Sequence, residues 1–219
     1  MQQGALATFV ADRFGNQNSA LSLNGGYTQI PGGIYFDTPQ FTISVWVCPL
    51  SIVQPFSRLL EFSNGCHLDS LSLLLDQGTT SSNLLPKFEV FVNSTTHYKV
   101  SSNVRLLTGV WQMITISFDE AVLSFYINST LVQTSGIVAY SPQSIMRTQN
   151  YAGNTSCPNS GYSSSYLDDI RFFNVSLIQK EIVDLFYDKS TNLYKNSTSN
   201  MTTTLMESTE AISNLSNFL

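Results

Sequence analysis

The sequence predicts an all-β fold, two antiparallel sheets packed face to face and followed by one short helix. Short segments of two-residue alternation recur from residue 20 to 173, clusters of Gly, Pro, Asn and Ser separate them, and helical periodicity is almost absent until residue 176. A chain of 219 residues holds one sizeable core plus a tail.

The expected strands are LSLN (21–24), YTQI (27–30), FTISVWVC (41–48), RLLEF (58–62), LSLLLD (71–76), KFEVFVN (87–93), HYKVSS (97–102), WQMITISF (111–118), AVLSFYIN (121–128) and YLDDIRFF (166–173). In the 41–48 strand, Phe41, Ile43, Val45 and Val47 point one way and Thr42, Ser44, Trp46 and Cys48 the other. Both faces hold large or apolar groups, which marks a central strand. About ten such strands are enough for a sandwich. Ser176 and Gln179 have capping-box spacing, and Ile178, Ile182, Leu185 and Phe186 form one apolar stripe, so a short helix should dock on the sandwich. From Ser190 the composition changes: twelve of the last thirty residues are Ser or Thr, with no Gly, Pro or Cys. The domain is therefore expected to span 1–188, and 189–219 to be a Ser/Thr-rich linker ending in a weak amphipathic helix around Leu205, Ile212, Leu215 and Leu219.

Charged residues make up only 11% of the chain and the formal net charge is −5, which excludes the Lys/Arg footprint of a nucleic-acid-binding protein. No apolar run approaches the roughly 18 residues of a membrane span, and residues 1–20 lack the pattern of a signal peptide. Asn-X-Ser/Thr triplets occur at Asn93, Asn128, Asn154, Asn174, Asn196, Asn200 and Asn214, an N-glycosylation pattern. Together these observations suggest an extracellular segment, secreted or part of an ectodomain, cut from a longer precursor. Cys48, Cys66 and Cys157 allow one disulfide among three possible pairs, and no Cys-X-X-Cys supports a redox or zinc motif.

Four stretches, DRFGNQNSALSLNGGYTQIP, FTISVWVCP, TGVWQMITISFDEAVLSFYINSTLV and YLDDIRFFNVSLIQKEIVDLFYD, resemble in order and spacing the laminin-G-like domains of the concanavalin A-like jelly-roll superfamily, in the branch close to pentraxins. The resemblance covers about residues 9–188. It implies a jelly roll with one concave sheet whose rim loops bind sugars or protein ligands, in some members through calcium. Relatives begin with a further strand, so an edge partner is expected to be missing here.

Within that frame Asp119 and Glu120 fall where relatives turn between strands, between two runs that suit a hairpin. No Glu-X-Asp-X-X-Glu occurs, so the carboxylate pair of a jelly-roll glycosidase is not expected. Asn128-Ser129 matches the next tight turn, with a glycan expected on Asn128. The resemblance makes Asp69, Asp168 and Asp169 candidate calcium ligands, while hydrogen bonding to backbone or pairing with Arg171 is the alternative for the Asp168–Asp169 pair. His67 and His97 lie thirty residues apart with no Ser-containing elbow or third His pattern, so each reads as a surface loop or strand residue and neither supports a catalytic triad. The segment 136–165 reads as a long Tyr-, Ser- and Asn-rich loop, with Tyr140, Arg147, Tyr151 and Tyr162 as candidate ligand contacts. The expected function is a non-catalytic recognition or adhesion module for carbohydrate or an extracellular protein. A carbohydrate-active enzyme and a structural spacer are the alternatives.

Overall fold

The computed structural model describes residues 5–50, 56–75, 84–93, 95–136, 142–158 and 163–188. In chain order the elements are β1 (Ala5–Leu6), β2 (Thr8–Val10), β3 (Ala20–Ser22), β4 (Gly26–Ile30), β5 (Gln40–Pro49), β6 (Arg58–Ser63), β7 (Ser70–Leu74), β8 (Lys87–Phe91), β9 (His97–Ser101), β10 (Gln112–Asp119), β11 (Val122–Ile127), β12 (Thr130–Thr134), β13 (Gln149–Ala152), β14 (Ser165–Phe173) and α1 (Gln179–Phe186). They build two seven-stranded sheets, ordered β1-β4-β13-β6-β7-β8-β9 and β12-β11-β10-β5-β14-β3-β2. We call them the β6 sheet and the β5 sheet.

Alternation decides which residues meet between the sheets. Phe41, Ile43, Val45 and Val47 of β5 face Leu60 and Phe62 of β6, Leu71 and Leu73 of β7 and Phe88 and Val90 of β8 across one buried cluster. Each such fully buried side chain is worth about 1.5–3 kcal/mol of transfer free energy. The other face of β5 is buried as well. Trp46, Met113 and Tyr126 pack with Leu177, Ile182 and Leu185, and the Trp46 ring stacks on Phe186 of α1 with centroids 5.2 Å apart. The hydroxyls on this covered face are satisfied within it: Thr115 Oγ1 donates to Ser44 Oγ, Thr42 Oγ1 to the Val175 carbonyl, and the Leu177 amide to Thr42 Oγ1. Cys48 is buried here as a free thiol whose pKa burial pushes up, which leaves it unreactive.

Four expectations change. The helix starts at Gln179 with Ile178 as its N-cap, and Glu181 accepts the Ile178 amide, whereas the Ser176 hydroxyl pairs with Ser117. Ile178 accordingly leaves the apolar stripe and is 63% exposed. The N-terminal edge is filled, because β1 adds to β4 in parallel and β2 to β3 antiparallel. The segment 136–165 contains β13, paired with both β4 and β6 near the middle of a sheet. β13 escapes pattern reading because it is short and one of its two buried positions holds a polar residue: the Asn150 amide donates to the Pro31 and Arg147 carbonyls, which replaces the apolar side chain that alternation looks for. The expected linker and terminal helix in 189–219 lie outside the described residues.

Candidate functional site

The outward face of the β6 sheet is built by register. Gln29, Tyr151, Glu61, Ser72, Glu89 and Lys99 stand opposite one another across β4, β13, β6, β7, β8 and β9, forming one polar row over six strands. Aromatic groups stand at both ends of the face. Tyr27 meets Tyr151 edge to face with ring centroids 6.1 Å apart, and at the far side Phe91 is sandwiched between His67 (4.2 Å) and His97 (4.9 Å). Burial raises the Tyr151 pKa, aided by Tyr27 and the charge of Glu61, so its hydroxyl stays protonated.

Glu61 organises the centre. It is buried beneath residues 155 and 156, accepting from Thr155 Oγ1 (2.5 Å), the Ser156 amide (2.7 Å) and Ser156 Oγ (2.6 Å), and pairing with Arg58 Nε at 2.8 Å. Cys66 and Cys157 form the disulfide, tying this loop to the turn before β7. Gly153 lets the loop leave β13: its φ is +83°, and a Cβ there would lie 2.9 Å from the Gly26 carbonyl. Glu89 pairs with Lys87 at 2.7 Å. Glu61 and Glu89 are separated by one strand, so their backbones are roughly 9.5 Å apart, a juxtaposition of acids that no single-strand motif reveals. Both are buried and ion-paired, the opposite of a general acid and base that must reach substrate.

The candidate residues fall in different places. Tyr151 lies on this face. Arg147 is fully buried, donating from Nε to the Asp69 carbonyl at 2.7 Å with its guanidinium 5.4 Å from the Phe36 ring, so it anchors two turns and does not face a ligand. Tyr140 and Tyr162 lie outside the described residues. Asp69 is half-buried at the start of β7. Asp168 and Asp169 belong to the β5 sheet, apart from Asp69. A bulge with Asp169 at φ +46° breaks the alternation of β14. Both acids of the pair then bind Arg13, at 2.5 and 2.7 Å, and Asp188 joins them at 2.6 Å. Arg13 also lies 4.8 Å from the Trp46 ring. Burial and then Asp169 push Asp168 above the usual carboxylate range against the pull of Arg13; burial opposes the Arg13 charge, but Asp188, Asp169 and Asp168 outweigh it and raise its pKa. The carboxylate oxygens are of the type calcium takes, but here Asp168, Asp169 and Asp188 all turn them to the Arg13 guanidinium, which balances their charge. Cys66, His67 and Cys157 bring ligand-type atoms within 4.8 Å, but the two sulfurs are bonded to each other and offer no thiolate.

Asp119 closes the β10–β11 hairpin with Glu120 at φ +51°, and Gln40 Nε2 donates to its carboxylate. Asn128 and Ser129 both have positive φ in the next two-residue turn, and Asn128 Oδ1 accepts the Met113 amide. Of the other sequon asparagines, Asn93 is exposed at a hairpin tip, Asn154 and Asn174 are half-buried, and Asn196, Asn200 and Asn214 lie outside the described residues.

A laminin-G sequence model of the concanavalin A-like lectin/glucanases superfamily matches residues 22–183. No curated protein matches the chain significantly in sequence. Among solved structures, domain 4 of AbnA, an extracellular arabinanase of family GH43 from Geobacillus stearothermophilus in complex with arabinotriose, is similar with a TM-score of 0.63 and 18% identity, over 84% of this chain and 82% of that one. The botulinum neurotoxin serotype G binding domain is similar with a TM-score of 0.59 and 15% identity, over 87% of this chain and 47% of that one. The serotype D ligand binding domain in complex with N-acetylneuraminic acid gives 0.57 and 13%, over 86% and 45%. The chain thus spans about half the length of the toxin binding domains. At these identities the likeness concerns the fold.

Proposed function

The chain belongs to the concanavalin A-like lectin/glucanases superfamily, and on that footing we propose that it is a non-catalytic recognition module, holding a carbohydrate or an extracellular protein against the outward face of the β6 sheet. The observation that carries this reading is the face itself: an aromatic pair, Tyr27 and Tyr151, beside a polar row whose central acid is already engaged by the chain's own loop. Apolar ring faces with a few fixed polar groups are what an oriented ligand requires. The sugar ligands of the arabinanase domain and the serotype D domain support carbohydrate as the first class to test. The Cys66–Cys157 disulfide and the seven sequons support an oxidising, extracellular setting, within a longer secreted or membrane-anchored protein.

One observation bears on a second reading, a carbohydrate hydrolase: Glu61 and Glu89 share the face with one strand between them, although each would have to leave its ion pair with Arg58 or Lys87 to act as acid or base. The two readings separate on a panel of immobilised glycans and secreted ectodomains, run beside incubation with soluble polysaccharides. Recognition predicts binding without release of reducing ends. Hydrolysis that disappears in Glu89→Gln would establish the enzyme instead.

A further inference from the structure

A cleft of about 280 Å³ opens between the β4–β5 connection and the end of β14, with Gly33, Tyr35, Asp37, Phe172, Phe173 and Asn174 among its lining. Its walls are held in place. The Tyr35 and Phe172 rings lie 5.7 Å apart and both pack on the buried Phe62, at 5.0 and 5.1 Å. Tyr35 donates its hydroxyl to the Pro31 carbonyl at 2.8 Å, and Thr38 Oγ1 donates to the Asn174 carbonyl at 2.9 Å, joining the two sides. Gly33 leaves room for the wall, since a Cβ there would come within 3.2 Å of the Tyr35 ring.

Asn174-Val175-Ser176 is a sequon, and its asparagine lies in the cleft, two residues after Phe172. Asn93 presents a contrast. That sequon sits at an exposed hairpin tip, where Asn93 Oδ1 accepts the amides of Thr95 and Thr96 and the Thr95 hydroxyl, with no ring wall beside it among these contacts. We propose that Asn174 carries an N-linked glycan whose first N-acetylglucosamine ring seats in the cleft against Tyr35 and Phe172, making the sugar part of the folded domain.

This inference rests on the secreted reading above. The bond forms between Asn174 Nδ2 and C1 of the sugar: a polyprenyl-pyrophosphate-linked oligosaccharide releases its pyrophosphate carrier, and the amide gives up one proton. Transfer to the chain before it folds leaves the Ser176 hydroxyl available to the transferase; it pairs with Ser117 at 2.8 Å in the finished domain. A cleft of this size lies just below the ~300–1,000 Å³ of small-molecule sites, which suits one ring and not an oligosaccharide. The apolar C–H face of the sugar meets the aromatic wall, while its hydroxyls reach Asp37 and water.

The test uses the full chain secreted from eukaryotic cells behind a leader peptide, with site occupancy read by peptide mapping and glycans then trimmed to a single N-acetylglucosamine. The expected result is occupancy at both Asn93 and Asn174, and a Tm about 2–4 °C above that of Asn174→Gln, the shift that roughly one favourable ring contact gives a domain of this size. Thr95→Ala, which removes the Asn93 sequon but keeps the Thr95 and Thr96 amide hydrogen bonds to Asn93 Oδ1, should change Tm by less than that. By NMR the N-acetyl methyl on Asn174 should be shifted upfield by the rings, and Phe172→Leu should reduce both that shift and the Tm difference. An empty Asn174 beside an occupied Asn93 overturns the proposal, as does an occupied Asn174 with an unshifted methyl and no Tm difference. If both asparagines are empty, the secreted reading itself fails.

Discussion

The outer faces of the two sheets are both covered, by opposite means. Over the β5 sheet an amphipathic helix lays Ile182, Leu185 and Phe186 on Trp46, Met113 and Tyr126, and the few hydroxyls beneath are satisfied locally. Over the β6 sheet there is no helix among the described residues. Instead a disulfide-anchored loop is bound through hydrogen bonds to one buried glutamate, and tyrosine rings remain at the margin. Apolar cover is tolerant of geometry and closes its face; polar cover is directional and leaves fixed, hydrogen-bonding surface at its edges. That difference is why we place recognition on the β6 sheet and scaffold on the β5 sheet.

Substitutions should separate the two kinds of cover. Trp46→Ala removes the ring beneath both α1 and Arg13, and should cost about 3–5 kcal/mol by denaturant unfolding while leaving ligand affinity of the folded fraction unchanged. An equal loss of affinity would mean the helix face takes part in binding. Glu61→Leu leaves the buried Arg58 without its carboxylate and detaches residues 155 and 156, so a loss of about 3 kcal/mol is expected, with faster amide exchange confined to the loop and β6. Exchange that spreads evenly over both sheets would argue that the loop is no separate unit. Cys66→Ser with Cys157→Ser should cost about 2 kcal/mol and lower affinity more than it lowers stability at the binding temperature, because the loop beside Tyr151 is released.

These experiments also mark how far the sequence could be read. The β5 strand was legible on both faces, since Phe41 to Cys48 alternates without interruption and both sets of side chains are buried. The acids at Asp119 and Glu120 were legible as a turn because two strong strands flank them. Asp168 and Asp169 were legible in part: the expected pairing with Arg171 is present, at 3.0 Å from Asp169, but a bulge cancels the alternation that pattern reading assumes, and the Arg13 that binds both acids lies 155 residues away from Asp168. The pairing of Cys66 with Cys157 and the juxtaposition of Glu61 with Glu89 depend on strand order, which periodicity does not contain. Arg147 looked like a ligand contact by residue type, and only its burial shows it holding backbone carbonyls.

The smallest expected effect on stability coincides with the most direct test of the proposed binding face. Tyr27→Ala with Tyr151→Ala trims two half-buried rings and should shift Tm only modestly, by about 2–4 °C. On the glycan and ectodomain panel, the account predicts that the double variant loses at least about tenfold in apparent affinity for whatever the native chain binds, equivalent to roughly 1.4 kcal/mol. Undiminished binding by a folded double variant would contradict it and move the site away from the β6 sheet.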